Sequence, residues 1–332
     1  MSKTVDKKRK YLLYVAVLLL VVLLLSSGLL ILDIWDNNRG VYQSKDSDSL
    51  ESSIQYNGKT YILDDNVETF LVIGLDKFED AVDNSAYNND QQADFVMLFV
   101  MDNDNAQCSA IHINRDTITE INVLGVAGQK VDTVNKQIAL AHTYGNGKEV
   151  SCRNTADAVS NLLSNVKIDH YISLTMDSVA ILNDKVGGVE VTVLDDFSGI
   201  DDTLIKGETV NLFGEHSLNY VRTRAGLEDS SNIRRMERQR QYMEALFSKI
   251  QNCVENDDDF IIELSKSMSE YLVSDCSLTQ LQKISEKLAT YKFDEIYAID
   301  GESVEGDKFM EFYPDENSLN EIVVDLFYKP KE

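Results

Sequence analysis

The sequence predicts an α/β layered domain, a mixed sheet covered by helices on both faces, behind an N-terminal membrane-spanning helix. Two observations carry this reading. From residue 70 to residue 193, short apolar runs of strand length alternate with segments of helical periodicity. Ahead of them lies a charge-free stretch, Tyr11 to Leu32, whose twenty-two residues make a helix of roughly 33 Å, enough for a bilayer core.

The apolar stretch comes first. Lys3, Lys7, Lys8, Arg9 and Lys10 precede it and Asp33 closes it, so the positive-inside bias puts residues 1–10 in the cytoplasm and everything after Asp33 outside. A cleaved signal peptide is the alternative. The run is longer than a usual signal core, and Ser26-Ser27-Gly28 leads into more Leu and Ile rather than a polar cleavage zone, which favours a retained anchor. Residues 33–53, rich in Asp, Ser and Asn, read as a linker off the membrane.

The chain has 332 residues and a formal charge of −25, to which the first ten residues contribute +4, so the acidity belongs to the exported part. Such a surface repels phosphate backbones and excludes nucleic-acid binding by the chain as a whole. A 43% hydrophobic content excludes a disordered chain, and two prolines exclude Pro-rich or collagen-like architectures. The four cysteines, Cys108, Cys152, Cys253 and Cys276, show no CxxC spacing, so the sequence gives no support to a zinc or thioredoxin-like site; outside the cell they can pair or stay as buried thiols.

Along the exported part, Ile54, Tyr56, Asn57-Gly58, Tyr61 and Ile62 spell a two-residue-turn hairpin over 54–63. Phe70–Leu75, Phe95–Met101 and Cys108–Ile113 read as three strands, the last two joined as a hairpin through Asp102-Asn103-Asp104-Asn105. Helical spacing follows over Val131–Tyr144 and Asn154–Leu163, then a strand at His170–Leu174, a helix at Met176–Asp184 and a strand at Val189–Val193 after Gly187-Gly188. From Ser217 to Ile250 the chain reads as helix with one break. Residues 253–332 read as a mainly helical part, with a strand near Glu295–Ile299, completing the domain.

Arginine is scarce, nine in the exported part, yet Arg222, Arg224, Arg234, Arg235, Arg238 and Arg240 fall within nineteen residues. A planar guanidinium binds phosphate oxygens in pairs, so the cluster points to phosphate or diphosphate. The alternative is a solvated helix face pairing with Glu228, Asp229, Glu237 and Glu244. Asp76 ends one strand and Asp94 opens the next. Carboxylates so placed can hold Mg²⁺, which leans on one or two carboxylates plus substrate phosphates; singly, each also reads as a cap or a solvated loop acid. Arg115-Asp116, at another strand end, is an internal ion pair or a cation aimed at the same site. Tyr171–Leu182 and Tyr242–Ile250 supply apolar residues for a lipid slot or for ordinary core packing. No GxSxG, HExxH or phosphate-loop pattern occurs, so the nucleophile is not expected to be a side chain.

In order, these segments resemble the LytR-CpsA-Psr family of cell-envelope proteins over roughly residues 70–249. The matching stretches include Phe70-Leu71-Val72-Ile73-Gly74-Leu75-Asp76, Ala93-Asp94-Phe95, Asn114-Arg115-Asp116-Thr117, Val186-Gly187-Gly188-Val189, Leu218-Asn219-Tyr220-Val221-Arg222-Thr223-Arg224 and Arg235-Met236-Glu237-Arg238-Gln239. The resemblance implies an α/β/α sandwich with a mixed central sheet, here a catalytic domain over 54–252. It also implies transfer of a polyprenyl-diphosphate-linked glycopolymer, such as teichoic acid or capsule, to peptidoglycan. Asp76 and Asp94 would then hold Mg²⁺, with Mn²⁺ as the alternative, and act with Arg115 as the catalytic set. Arg222, Arg224, Arg235, Arg238 and Gln239 would contact the diphosphate. The chain departs from the family's pattern where Gln92 replaces an arginine, Gln137 a lysine and Asn232 an acid, with Asp229 nearby as a candidate replacement. A polyprenyl-diphosphate hydrolase and a non-catalytic glycopolymer-binding protein are the alternatives to the transferase.

Overall fold

The computed structural model describes residues 53–76, 91–257 and 259–331. The expected cytoplasmic tail and membrane helix, and the linker up to residue 52, lie outside these residues. Among the described residues, no helix is long and apolar enough to cross a membrane.

The chain opens with the hairpin β1 (Ser53–Tyr56) and β2 (Lys59–Leu63), turned through Asn57 and Gly58, both at positive φ. β3 (Val67–Leu75), β4 (Ala93–Asp102) and β5 (Gln107–Ile113) follow as an antiparallel run. β6 (Ile118–Leu124) and β7 (Lys130–Gln137) form a separate hairpin, and a 3-10 turn (Ile138–Thr143) leads to α1 (Glu149–Leu162). β8 (His170–Thr175) and α2 (Met176–Lys185) come next, then β9 (Val189–Thr192) paired with β10 (Thr209–Leu212), α3 (Gly214–Arg222) and the long α4 (Asn232–Asn256). The remainder holds α5 (Phe260–Ser267), β11 (Leu272–Ser274), α6 (Leu278–Thr290), β12 (Lys292–Ala298), β13 (Gly301–Glu305), β14 (Met310–Pro314), α7 (Glu316–Phe327) and β15 (Tyr328–Pro330).

The central sheet has the order β11-β8-β3-β4-β5-β12. Its β3–β8 and β5–β12 pairs are parallel and the others antiparallel, so the sheet is mixed. Alternation along β3 divides its two faces. Leu71, Ile73 and Leu75 pack with Cys152, Ala156 and Val159 of α1 and Ile322, Val323 and Phe327 of α7. Phe70 and Val72 join Phe247 of α4 and Ile284 of α6 in a second core. A third core, around Phe197, Tyr220 and Leu246, joins α3, α4, α5 and the β9–β10 pair.

Two expectations need correction. Val131, Val134, Ile138 and Ala141 do recur at helical intervals, yet residues 130–137 form β7, held by backbone pairing to β6, which periodicity did not reveal. Tertiary pairing there overrides the local pattern. The C-terminal part holds three helices and the strand expected near Glu295–Ile299, but also strands that were not expected. It supplies both edges of the central sheet, β11 and β12, and its β15 returns to pair with β2 of the opening hairpin.

Where β3 meets β4, Gly74 lies opposite Phe95, and a Cβ on Gly74 would fall 2.8 Å from the Phe95 Cβ. Gly74→Ala is expected to destabilise the protein by about 1–3 kcal/mol through overpacking. A urea titration measures this, and an unchanged midpoint would mean that the two strands part without cost.

Candidate functional site

The topology gathers four chain segments at one end of the sheet. β3, β5 and β8 finish there and β4 begins there, because β4 runs against its neighbours. Asp76 follows β3, Asn114 and Arg115 follow β5, Met176 follows β8, and Asp94 is the second residue of β4. The register slips at this point: Gly74 pairs with Phe95 but Leu75 pairs with Ala93, which leaves Asp94 as a bulged extra residue. Such a bulge re-aims one side chain without disturbing the strand on either side.

Arg115 lies at the centre of the contacts. Its Nη1 donates to the Asp94 carboxylate and its Nη2 to Gln92 Oε1. Its buried Nε has no hydrogen-bond partner, the nearest acceptor being Asp116 Oδ1 at 3.6 Å. Burial pushes the Asp116 carboxyl above its usual range, against the pull of Arg115, Arg224 and Arg235, and Gln137 Nε2 donates to it at 3.0 Å. Asn114 ties this strand end to α4: its Oδ1 accepts from Asp116 N at 2.9 Å and from Asn232 Nδ2 at 2.7 Å.

α4 begins at the site. Ser231 caps it, accepting from Arg234 N at 3.1 Å. Four positions into the helix, buried Arg235 donates to Asn232 Oδ1 at 2.6 Å and reaches the Asp94 carbonyl at 3.4 Å, while its buried Nε is unpaired. Burial, with Arg224 and Arg115 adding their repulsion, pulls the Arg235 pKa down to about 9. Burial lowers Arg115 as well, with Arg224 again opposing its charge. Arg224 is exposed, and its side chain makes no hydrogen bond or ion pair among the described residues. Arg222, at the end of α3, pairs with Asp76 at 2.5 Å, both side chains about half exposed. Three mutually repelling guanidinium groups with unpaired N–H groups, at a helix N-terminus, make a site short of negative charge.

Of the proposed diphosphate contacts, Arg238 needs correction. Its side chain has no exposure, and its guanidinium donates to Asp195 Oδ2, Tyr220 O and Thr223 O while lying 5.5 Å over the Phe197 ring. Arg234 holds the other oxygen of Asp195 and also Glu237. These two arginines are a structural clamp, and the full burial of Arg238 keeps it out of reach of a ligand. Asp195 went unread in the sequence. A clue was there: so many arginines on one helix need buried acids, and Leu194-Asp195-Asp196 follows a strand of alternating burial. The nearby acids do less than expected. Among the described residues Glu228 pairs with Lys206, and exposed Asp229 accepts from Ser231 N at 2.8 Å.

Beside the arginines opens an apolar cleft of about 110 Å³, lined by Val72, Gly74, Phe95, Leu174, Met176, Val179, Leu182, Val221, Gln239, Tyr242, Met243 and Leu246. Residues of both apolar stretches singled out in the sequence line it, though Tyr171 packs in a core. Gln239 lines the cleft one helical turn after Arg235, and Phe95 lines it next to Asp94, the partner of Arg115, so the cleft opens near these cations. Gln239 Nε2 donates to Val221 O at 3.1 Å, leaving its buried Oε1 unpaired at the cleft. Asp76 and Asp94 bring two carboxylates, the hard oxygen donors that Mg²⁺ takes, to the same sheet end, where they pair with Arg222 and Arg115.

The profile of the LytR_cpsA_psr family matches residues 33–325. The chain is 29% identical over 249 residues, 73% of each chain, to an Enterococcus faecalis protein named polyisoprenyl-teichoic acid–peptidoglycan teichoic acid transferase TagU. Its fold is similar to that of Bacillus subtilis TagV, with a TM-score of 0.59 and 22% identity over 80% of this chain and 97% of that one. It is also similar to a structure of TagT bound to LI-WTA, with a TM-score of 0.59 and 20% identity over 79% of this chain and 90% of that one.

Asp195→Ala would leave Arg238 buried without its counter-charge and is expected to cost about 3–5 kcal/mol of stability. Chemical denaturation monitored by circular dichroism measures it, and a loss under about 1 kcal/mol would remove the clamp from the account.

Proposed function

The chain belongs to the LytR-CpsA-Psr family, and from that premise we propose that it transfers a glycopolymer from a polyprenyl-diphosphate carrier to a hydroxyl of peptidoglycan. The observation that carries this reading is the apolar cleft lined by Gln239, one helical turn from Arg235, which lies close to Arg115 and Arg224. A lipid diphosphate has the matching two-part chemistry, an apolar tail joined to adjacent anions. TagU's printed name describes the same class of reaction.

In this reading Arg115, Arg224 and Arg235 bind the diphosphate oxygens and meet the charge that grows on them as the bridging P–O bond breaks. The acceptor hydroxyl attacks the glycan-side phosphorus, a new P–O bond forms, and polyprenyl phosphate leaves into the cleft. Asp76 or Asp94 takes the hydroxyl proton. Arg222 holds Asp76 in place, and Gln92 and Asp94 together orient Arg115. Mg²⁺, when bound by Asp76 and Asp94, would supply further neutralisation of the phosphates. Tyr11–Leu32 would anchor the domain to the outer face of the cell membrane, which raises the effective concentration of a lipid-borne donor.

The test is full-length protein in detergent with a synthetic polyprenyl-diphosphate oligosaccharide, Mg²⁺ and peptidoglycan fragments, with products identified by mass spectrometry. Glycan joined to the acceptor through a phosphodiester is expected, and Arg115→Ala is expected to lower kcat about 10²–10³-fold with its circular dichroism unchanged. Free phosphorylated glycan alone would identify a hydrolase. Donor binding without turnover would identify a binding protein.

A further inference from the structure

We propose that His170, Asp275 and Cys276 form a zinc site at the end of the sheet opposite the arginines, where it fastens the edge strand β11 to β8. The strand pairing builds this cluster. Ser274 pairs with Ile172, so continuing the antiparallel register sets Asp275 against Tyr171 and Cys276 against His170. Tyr171 N donates to Asp275 Oδ1 at 3.0 Å and fixes that carboxylate. His170 Nδ1 lies 3.7 Å from Asp275 Oδ1, Cys276 Sγ lies 3.7 Å from the same oxygen, and the three ligand atoms all fall within 4.8 Å of one another.

These spacings are close to what a tetrahedral metal asks for. Zinc bonds of roughly 2.0–2.3 Å to nitrogen, oxygen and sulfur set neighbouring donors about 3.3–3.6 Å apart, so the two 3.7 Å spacings fit, and the His170–Cys276 spacing, within 4.8 Å, closes on binding. Without a metal, His170 Nδ1 is buried and has no hydrogen-bond partner, since 3.7 Å is too long for one. The donor set selects the ion. Imidazole and thiolate favour zinc, whereas magnesium prefers oxygen ligands alone. Binding exchanges the Cys276 thiol proton, released to solvent, for a zinc–sulfur bond, and neutral His170 binds through its free Nδ1 lone pair. Three protein ligands leave the fourth position to water.

The site is distinct from the phosphate chemistry by topology. His170 opens β8, while Thr175 closes the same strand at the apolar cleft. β11 is only three residues long and pairs on one side only, which makes it the weakest-held strand of the central sheet.

Cobalt substitution tests this on the full-length protein. One equivalent of Co²⁺ is expected to give a thiolate-to-cobalt charge-transfer band with intense visible bands, displaced by Zn²⁺. Cys276→Ser is expected to abolish the charge-transfer band, and His170→Gln to weaken Zn²⁺ binding at least about 10-fold, both with native circular dichroism. An ion held by Asp76 and Asp94 has no sulfur ligand and gives no such band. Absence of the band from the wild-type protein, or its persistence in Cys276→Ser, would overturn the proposal. If Cys276→Ser does not fold, Asp275→Asn takes its place: unchanged Zn²⁺ affinity would overturn the site and weakened affinity would support it.

Discussion

A guanidinium sealed from water must satisfy its donors inside the protein, and the burial of Arg238 governs how α4 seats against the rest of the domain. Its partners come from the loop after β9 and from the end of α3, so one side chain locks three segments together. Asp195 spends both oxygens on this lock, one on Arg238 and one on Arg234. That use of an acid has an electrostatic consequence nearby. Arg235, next along α4, receives no carboxylate and relies on Asn232 and a distant carbonyl. In a protein of net charge −25, Arg235 thus has no carboxylate in hydrogen-bonding contact, while Asp195 is engaged by Arg234 and Arg238.

The same region is where the sheet delivers its chain ends. Antiparallel β4 brings Asp94 alongside the ends of β3 and β5, and the bulge turns its carboxylate toward Arg115. Unpaired Nε groups on Arg115 and Arg235, and the unpaired Gln239 Oε1, are polar atoms out of contact with water and with protein partners. Buried atoms of this kind are uncommon and costly unless something meets them. They lie close to a cleft lined almost wholly by apolar side chains.

Much of this was legible beforehand. Strands with apolar runs bounded by turn residues, such as Phe70–Leu75 and Cys108–Ile113, lie where periodicity set them, because a buried strand leaves a composition that short windows detect. The hairpin β6–β7 was not legible: its stabilising partner lies in the neighbouring strand and its outward Val131 is exposed. Among the site residues, Arg115, Arg222, Arg224 and Arg235 come together with Asp76 and Asp94. Arg238 does not join them, since spacing along a helix says which residues share a face but not which of them a distant acid will claim. Asp195 stands more than forty positions upstream of Arg238 and has no local pattern of its own. The roles of Asn114 and Asn232, which bridge a strand end to a helix start, likewise depend on a contact between residues 118 positions apart.

The closure of β15 on β2 has a temporal meaning. The first hairpin of the domain finds its partner only in strand β15, and both edges of the central sheet, β11 and β12, also come late. During synthesis, β8 and β5 would emerge as bare edges and wait for roughly a hundred or more further residues before being covered. Edges left open in this way are templates for pairing with other chains. The described sheets are complete only once the residues after α7 have been made.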